Sequence, residues 1–226
     1  MQAKQTEAEL FQALQQESHR IGFDYCAYGL RLPLPLSAPR TVMFNNYPDE
    51  WQARYANENY LSIDPTVRHG MTSLVPLVWT DEIFMETHGF WEDARSYGLC
   101  HGWAQSSIDP GGIKGMLTLS RAGEPLSETE LRAKGCEMVW LTQVAHLCMS
   151  QLVSNRLQPE KPVELSQREI SILRWTAEAK TSSEVSDILG ISERTVNFHI
   201  TNAMEKLGCA NKTAATVRAA LLGLLY

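Results

Sequence analysis

The sequence predicts an α+β protein in two parts: an N-terminal α/β/α sandwich around one antiparallel sheet, and an all-α helix-turn-helix domain at the C-terminus. Three observations carry this prediction. Within residues 1–154, strand-like alternation lies between helical patterns, which favours helices packed on both faces of one sheet. Residues 155–163 hold two prolines and several charges, as linkers do. Residues 164–226 contain helical patterns alone.

The composition is typical of a globular protein with free thiols. No apolar run approaches the roughly 20 residues of a membrane-spanning helix, so we expect a cytoplasmic protein with no membrane partner. The five cysteines are scattered without metal-ligand spacing, which indicates free thiols and neither a metal nor a cofactor. The net charge of −6 comes entirely from residues 1–162, because residues 163–226 hold seven Lys/Arg and seven Asp/Glu. The net charge alone therefore does not indicate a positive potential that would attract nucleic acid.

The N-terminal elements are predicted from capping and alternation. Thr6-x-x-Glu9 is a capping box that opens the first helix. Ser127-x-x-Glu130 opens a long helix that we expect to run to about Val153. Between them we predict strands at 25–32, 41–44, 75–79, 102–108 and 115–121, and helices at 48–59, 65–71 and 83–97.

Capping residues also divide the C-terminal region into four predicted helices. Capping boxes begin the first two, at Ser166 and Thr181. Gly190 supplies the positive φ that ends the second, and Ser192 caps the third. The third and fourth helices are predicted over 193–207 and about 213–225. A short helix, a tight turn with glycine and a longer capped helix are the arrangement that reads DNA.

The third helix of this region has one apolar stripe and one polar face. Its polar side chains suit base edges and phosphates, and the amides that open the fourth helix can hold a phosphate. Taken alone, this periodicity more often means a solvated face on a small bundle. The candidate DNA-binding residues are Ser192, Arg194, Thr195, Asn197, His199, Asn202, Lys206, Lys212 and Thr213.

The literal residues of the C-terminal region favour DNA binding. Leu165-Ser-Gln-Arg-Glu-Ile, Thr195-Val-Asn-Phe-His and Asn211-Lys-Thr closely resemble the DNA-binding domain of LuxR-type transcription factors. Ala179 departs from the glycine that the family usually has there. If that position has a positive φ, alanine costs about 1 kcal/mol. The acidic pair and phospho-acceptor of a response-regulator receiver have no counterpart in the N-terminal part.

Aromatic residues crowd the segment from Tyr47 to Trp79, and Asp64 lies among them. Such a stripe is more often plain core than a binding site. A buried carboxylate is less ordinary, because it must find hydrogen-bond donors. An amide N–H of a ligand is one such donor.

Trp51-x-x-x-Tyr55, Asp64-Pro65, Trp79 and Gly112 resemble the signature of the LuxR-type autoinducer domain. Tyr28-Gly-Leu-Arg-Leu-Pro-Leu-Pro makes the CepR/RhlR-like members of the family the most similar. The resemblance implies a small-molecule effector, an N-acyl homoserine lactone, and a homodimer that binds duplex DNA at a near-palindromic site.

The resemblance also implies roles for three polar groups around the ligand amide and lactone. Trp51 donates its indole N–H to the lactone carbonyl, Asp64 accepts the amide N–H, and Tyr47 donates to the amide carbonyl. Apolar walls around these groups bury the acyl tail.

The other matched residues shape the walls of the implied site. Trp79 packs over the lactone ring, and Tyr55 lies along the head group or the proximal chain. Gly112 allows close backbone approach. Thr118 or Ser120 reaches a polar group on the acyl chain.

The sequence thus predicts a quorum-sensing transcriptional regulator that works at the nucleoid when bound to DNA, with no catalytic residues. Two alternatives are a regulator that responds to another small metabolite and one that binds DNA without ligand. An enzyme is disfavoured because Cys100 and His101, as neighbours on a strand, point to opposite faces. Candidate dimer faces are the helix 127–153, through Met138 and Leu147 among others, and the last helix.

Overall fold

The structure is a computed structural model that describes residues 6–157 and 163–226. These residues form two compact units: an N-terminal unit up to residue 157, and a C-terminal unit made of residues 163–226 together with the segments 33–38 and 110–112. Within the described ranges, no helix is long and apolar enough to span a membrane. Most of the predicted linker, residues 158–162, lies outside the described residues, so its boundaries stay a prediction. Residues 155–157 are helical.

The N-terminal unit contains a five-stranded sheet in which every pairing is antiparallel, as predicted. The strand order is β2-β1-β5-β4-β3. The third strand is two residues long rather than the predicted five, because Pro76 has no N–H to donate to the ladder. The strands are β1 Tyr25–Arg31, β2 Thr41–Asn45, β3 Leu77–Val78, β4 His101–Ile108 and β5 Lys114–Arg121.

Five α-helices accompany this sheet. The predicted capping box of Thr6 and Glu9 is present. The helix predicted over 83–97 is instead a 3₁₀ segment, Asp81–Thr87, followed by an α-helix. The long helix ends at Leu157, four residues beyond the expected Val153. The helices are α1 Glu7–Arg20, α2 Asp49–Asn57, α3 Pro65–Thr72, α4 His88–Ser96 and α5 Glu128–Leu157.

The two faces of the sheet serve different purposes, because successive side chains of a strand point to opposite sides. On β1, Tyr28 and Leu30 enter the main core against α1 and α5, together with Leu117 of β5. Ala27 and Gly29 face the other way, toward a cavity beneath α2 and α3. The sandwich thus has a solid side and a hollow side.

The long helix α5 only partly fits the predicted dimer face. Met138 was assigned to that face but is buried in the main core, because its position on α5 turns it toward the sheet. Leu147 is 70% exposed, as expected for a free face, and so is Trp140 at 69%. Trp140 and Leu147 are seven residues apart and share one side of the helix.

In residues 163–226, the regular structure is helix alone, as predicted. The capping boxes at Ser166 and Thr181 are present, and Ser192 accepts a hydrogen bond from the Thr195 backbone N–H at 3.1 Å. Gly190 ends the second helix with a φ of +62°. The last helix ends at Leu221, four residues before the predicted Leu225. The helices are α6 Gln167–Ala177, α7 Ser182–Leu189, α8 Glu193–Leu207 and α9 Lys212–Leu221.

Ala179 has a φ of +64°, the conformation that makes a glycine preferable there. We predict that Ala179→Gly raises the free energy of unfolding by about 1 kcal/mol, because it removes the clash of the Cβ with the backbone. Urea unfolding of the full chain measures the change. Ala177→Gly is the matched control: Ala177 is exposed but helical, so the same replacement should lower stability. Equal effects of the two changes would contradict the prediction.

Candidate ligand-binding and DNA-binding sites

The hollow side of the N-terminal sheet holds a cavity of about 410 Å³. This volume lies in the range of small-molecule sites. One end is aromatic and contains the carboxylate of Asp64. The other end carries methionines and two cations. The aromatic end includes Tyr47, Trp51, Tyr55, Trp79, Phe84, Phe90 and Trp91, and the other end includes Met43, Met71, Met116, Arg31 and Lys114.

The strand register shows which way the cavity runs. Gly102 pairs with Ser120 at the aromatic end, and Ala104 pairs with Thr118 one step further. Ser106 pairs with Met116 beyond them. Gly102 and Ser106 are therefore about 13 Å apart along β4. The cavity follows the strands from aromatic to aliphatic walls.

Asp64 occupies a junction between α2, α3 and the cavity. It caps α3: its Oδ1 accepts the Thr66 backbone N–H at 2.8 Å and the Thr66 hydroxyl at 2.7 Å. Its Oδ2 accepts the Tyr55 hydroxyl of α2 at 3.0 Å. The Val67 backbone N–H is a further, weaker donor to the same carboxylate.

Burial dominates the electrostatics of this end of the cavity. It raises the pKa of the Asp64 carboxyl above its usual value, against the lowering effect of the hydrogen bonds from Thr66 and Tyr55. Burial likewise raises the pKa of Tyr47 and of Tyr55, and the Asp64 charge adds to both shifts. Both phenols therefore remain protonated donors at neutral pH.

Trp79 lies flat against β4 at Gly102. A Cβ at Gly102 would come within 2.4 Å of the indole ring, so this position leaves no room for a side chain. The buried indole Nε1 of Trp79 has no hydrogen-bond partner among the described residues. Phe84 and Trp91 pack against Trp79 in T-shaped arrangements, and each ring centroid lies 5.9 Å from that of Trp79.

Trp51 is 2% exposed and forms the centre of the aromatic wall. Tyr55 and Phe90 lie 5.7 and 5.8 Å from it, centroid to centroid. Behind this wall, Arg54 pairs with Asp93 at 2.9 Å. Tyr60 donates to the same carboxylate. The indole of Trp51 is thus fixed in place before any ligand arrives.

The structure brings six of the eight predicted ligand-binding residues together. Tyr47, Trp51, Tyr55, Asp64, Trp79 and Thr118 line the cavity. Ser120 is fully buried and level with Trp79, but it is outside the cavity lining. Gly112 lies in the turn between β4 and β5 with a φ of +78°, and it too is outside the lining.

Thr66 and Ser106 were not among the residues predicted from the sequence. Thr66 donates twice to Asp64, and the Asp64-Pro65-Thr66 order of a capped helix start was a usable signal. Ser106 is 3% exposed on the cavity wall, with no hydrogen-bond partner for its Oγ among the described residues.

In the C-terminal unit, α7 and α8 form the predicted helix-turn-helix. The side of α8 that faces the unit's core carries Val196, Ile200, Ala203 and Leu207. Arg194 is exposed, and neither Arg194 nor Lys212 has a carboxylate partner among the described ion pairs. Thr213 is exposed, and Thr195 and Asn202 are half-buried.

Five of the predicted DNA-binding side chains already have partners within the unit. The hydroxyls of Ser192 and Thr195 share a 2.8 Å hydrogen bond. Asn197 accepts a hydrogen bond from Ser182 of α7 at 2.8 Å. The ring of His199 lies edge-on to that of Phe198, with centroids 5.5 Å apart. Lys206 forms a 2.8 Å ion pair with Glu169.

The Lys206–Glu169 pair stabilises the packing of α6 on α8. Burial alone would raise the pKa of Glu169, but the Lys206 ammonium and the Ser166 backbone N–H outweigh it and hold that pKa below its ordinary value. The Lys206 ammonium has three N–H donors and is partly exposed, so it can contact a phosphate while it stays paired with Glu169.

Family models match both parts of the chain. The model described as "Autoinducer binding domain" matches residues 6–149, and "Bacterial regulatory proteins, luxR family" matches residues 163–219. The transcriptional activator protein AnoR of Acinetobacter nosocomialis is 49% identical over 97% of this chain and 93% of its own length. The quorum-sensing regulator RhlR of Pseudomonas aeruginosa is 39% identical over 96% of this chain and 89% of its own.

Solved structures agree with these matches. A crystal structure of Escherichia coli SdiA is similar with a TM-score of 0.77 and 34% identity. The similarity covers the whole of this chain and 94% of SdiA. The resemblance that the sequence analysis stated is therefore confirmed for both parts of the chain.

We predict that Asp64→Asn leaves the ligand-free protein as stable as the wild type or more stable at pH 7. Asn retains the cap on α3 and removes a buried charge. Folding raises the pKa of Asp64, so the charged carboxylate destabilises the folded protein. This destabilisation is absent below the pKa of the unfolded state and complete above the pKa of the folded state. The advantage of the variant should shrink as the pH falls from 7 to 4. Thermal unfolding at several pH values measures it, and a variant less stable at pH 7 would contradict the prediction.

Proposed function

This chain belongs to the LuxR family of bacterial transcriptional regulators, and we propose that it is a ligand-gated regulator whose N-terminal cavity binds an N-acyl homoserine lactone. The observation that carries the proposal is the buried carboxylate of Asp64 on the cavity wall, whose burial its protein donors offset only in part. The amide N–H of a ligand would add a further donor. The binding of that N–H would also lower the cost of burying the charge.

The neighbouring donors suit the oxygens of the same head group. Trp51 on α2 would donate to the lactone carbonyl and Tyr47 to the amide carbonyl, while Trp79 would cover the ring. The phenol of Tyr47 holds its proton over the whole physiological range, and burial raises its pKa further. The prearranged aromatic wall means that little side-chain entropy is lost on binding.

The acyl tail would run from Thr118 toward Met43 and Met116, along the direction of the strands. Each buried methylene contributes about 0.8 kcal/mol to binding. Two further carbons in the acyl chain therefore raise affinity by roughly tenfold, as long as the cavity still has unoccupied apolar wall. The cavity length therefore selects the chain length of the ligand.

A second candidate ligand is an acyl lipid without a lactone ring. A solved structure of SdiA, 34% identical to this chain, is described as a complex with octanoyl-rac-glycerol. Its hydroxyls can donate to Asp64 as an amide can. Competition between N-octanoyl homoserine lactone and 1-octanoylglycerol distinguishes the two candidates.

For the output of the regulator, we propose that a homodimer places two copies of α8 on a near-palindromic duplex at the nucleoid. Trp140 and Leu147 form an exposed apolar strip on α5 that suits a second copy. The C-terminal unit has no net positive charge, which favours weak binding by a single copy. Pairing of two copies would supply the missing affinity.

We predict that Trp51→Phe lowers the affinity for N-octanoyl homoserine lactone by about tenfold, because the lactone carbonyl loses its donor while the aromatic packing persists. Isothermal titration of the full chain measures the affinity. The lactone concentration that changes DNA affinity should rise by the same factor.

Two results would reject parts of this account. Unchanged lactone affinity in both Trp51→Phe and Asp64→Asn would reject the pocket. Lactone binding with no effect on DNA affinity would reject the gating and favour a ligand-independent regulator.

Gly29 provides a test of tail selection. It lines the cavity beside Met43, and a Cβ there would meet only the Met43 side chain, at 4.0 Å. We predict that Gly29→Leu fills the tail end: N-dodecanoyl homoserine lactone should lose most of its affinity, and the N-butanoyl lactone little.

Gly29→Ala is the control for backbone effects and should change neither affinity by more than about threefold. Fluorescence competition across the chain-length series gives the values. An equal loss for short and long tails in Gly29→Leu would show that the tail lies elsewhere.

A further inference from the structure

The recognition helix α8 carries a large aromatic side chain in the middle of its outward face. Phe198 is 60% exposed. The buried stripe that includes Val196 and Ile200 fixes which side of α8 turns inward. At 100° per residue, Arg194, Phe198 and Thr201 fall on the opposite side.

Nothing in the C-terminal unit accounts for this exposure. The only aromatic contact among the described residues is His199, the next residue along the same helix. The other exposed positions on this face, Arg194, Thr201 and Glu205, are polar or charged. Phe198 is therefore an isolated apolar group within a polar surface, which is unlike the contiguous apolar patches that bind proteins.

Its polar neighbours have the chemistry of DNA contacts. Along the helix axis, Arg194 lies roughly 6 Å before Phe198 and Thr201 roughly 4.5 Å after it. In a major groove, the apolar group that base edges present is the 5-methyl of thymine. A phenyl ring between an arginine and a threonine fits that group.

We propose that Phe198 reads the 5-methyl group of a thymine in the major groove, in each half-site of the DNA target. This inference rests on the proposed function, in which α8 enters the groove. It also explains how a unit of zero net charge achieves specific binding, since an apolar base contact needs no counterion release.

The test begins with the duplex of highest affinity that the full-length wild type selects from a random 24-base-pair pool in the presence of lactone. Each thymine is then replaced in turn by uracil, which removes only the methyl. The wild type should lose about fourfold per half-site at one thymine position, the factor expected for one buried methyl-sized group.

Phe198→Ala should bind the thymine and uracil duplexes equally, and Phe198→Leu should retain part of the preference. Arg194→Ala is the matched control from the same face: it should weaken binding yet retain the preference at that thymine. Because Phe198 is exposed, its replacement should leave thermal unfolding unchanged, which excludes misfolding as the cause.

The possible outcomes distinguish a failure of the Phe198 contact from a failure of DNA binding by α8. If no duplex is selected, DNA binding itself is contradicted and this inference with it. If the wild type binds DNA but ignores every methyl, or if Phe198→Ala still distinguishes thymine from uracil, the role of Phe198 alone is overturned.

Discussion

The buried carboxylate of Asp64 is the constraint that sets the chemistry of the N-terminal cavity. It caps α3 through Thr66 and ties α2 to α3 through Tyr55, and it does so inside a cavity where burial raises its pKa. A group placed in this way opposes folding unless its acceptor sites are filled. A ligand that donates to this carboxylate removes part of this cost, so ligand binding and stability are coupled through one side chain.

The alternation of the strands determines where that ligand can lie. The residues of β1 and β5 that face α1 and α5 fill a solid core, and those between them line a hollow. Small residues create the space: Gly102 admits the ring of Trp79, and Gly29 leaves the tail end open. A sheet with larger residues at these two positions would have two solid faces.

Local rules account for what the sequence predicted well. Capping boxes, strand alternation and the turn at Gly190 depend on near neighbours, and the positive φ at Ala179 followed from one departure in a motif. Properties set by distant contacts escaped prediction. Lys206 pairs with a buried Glu169 that is 37 residues away. Phe198 was not among the predicted DNA-binding residues, although it lies outside the buried stripe of α8.

The central claim is that the Asp64 carboxylate accepts a hydrogen bond from the ligand. Carbon-13 NMR of the aspartate side-chain carboxyls, assigned by comparison with Asp64→Asn, follows the titration of this group directly. Without ligand, the pKa of Asp64 should lie above the usual aspartate value. Saturation with N-octanoyl homoserine lactone should lower it, because the new donor stabilises the charged form. An Asp64 pKa that is the same with and without bound lactone would contradict the account.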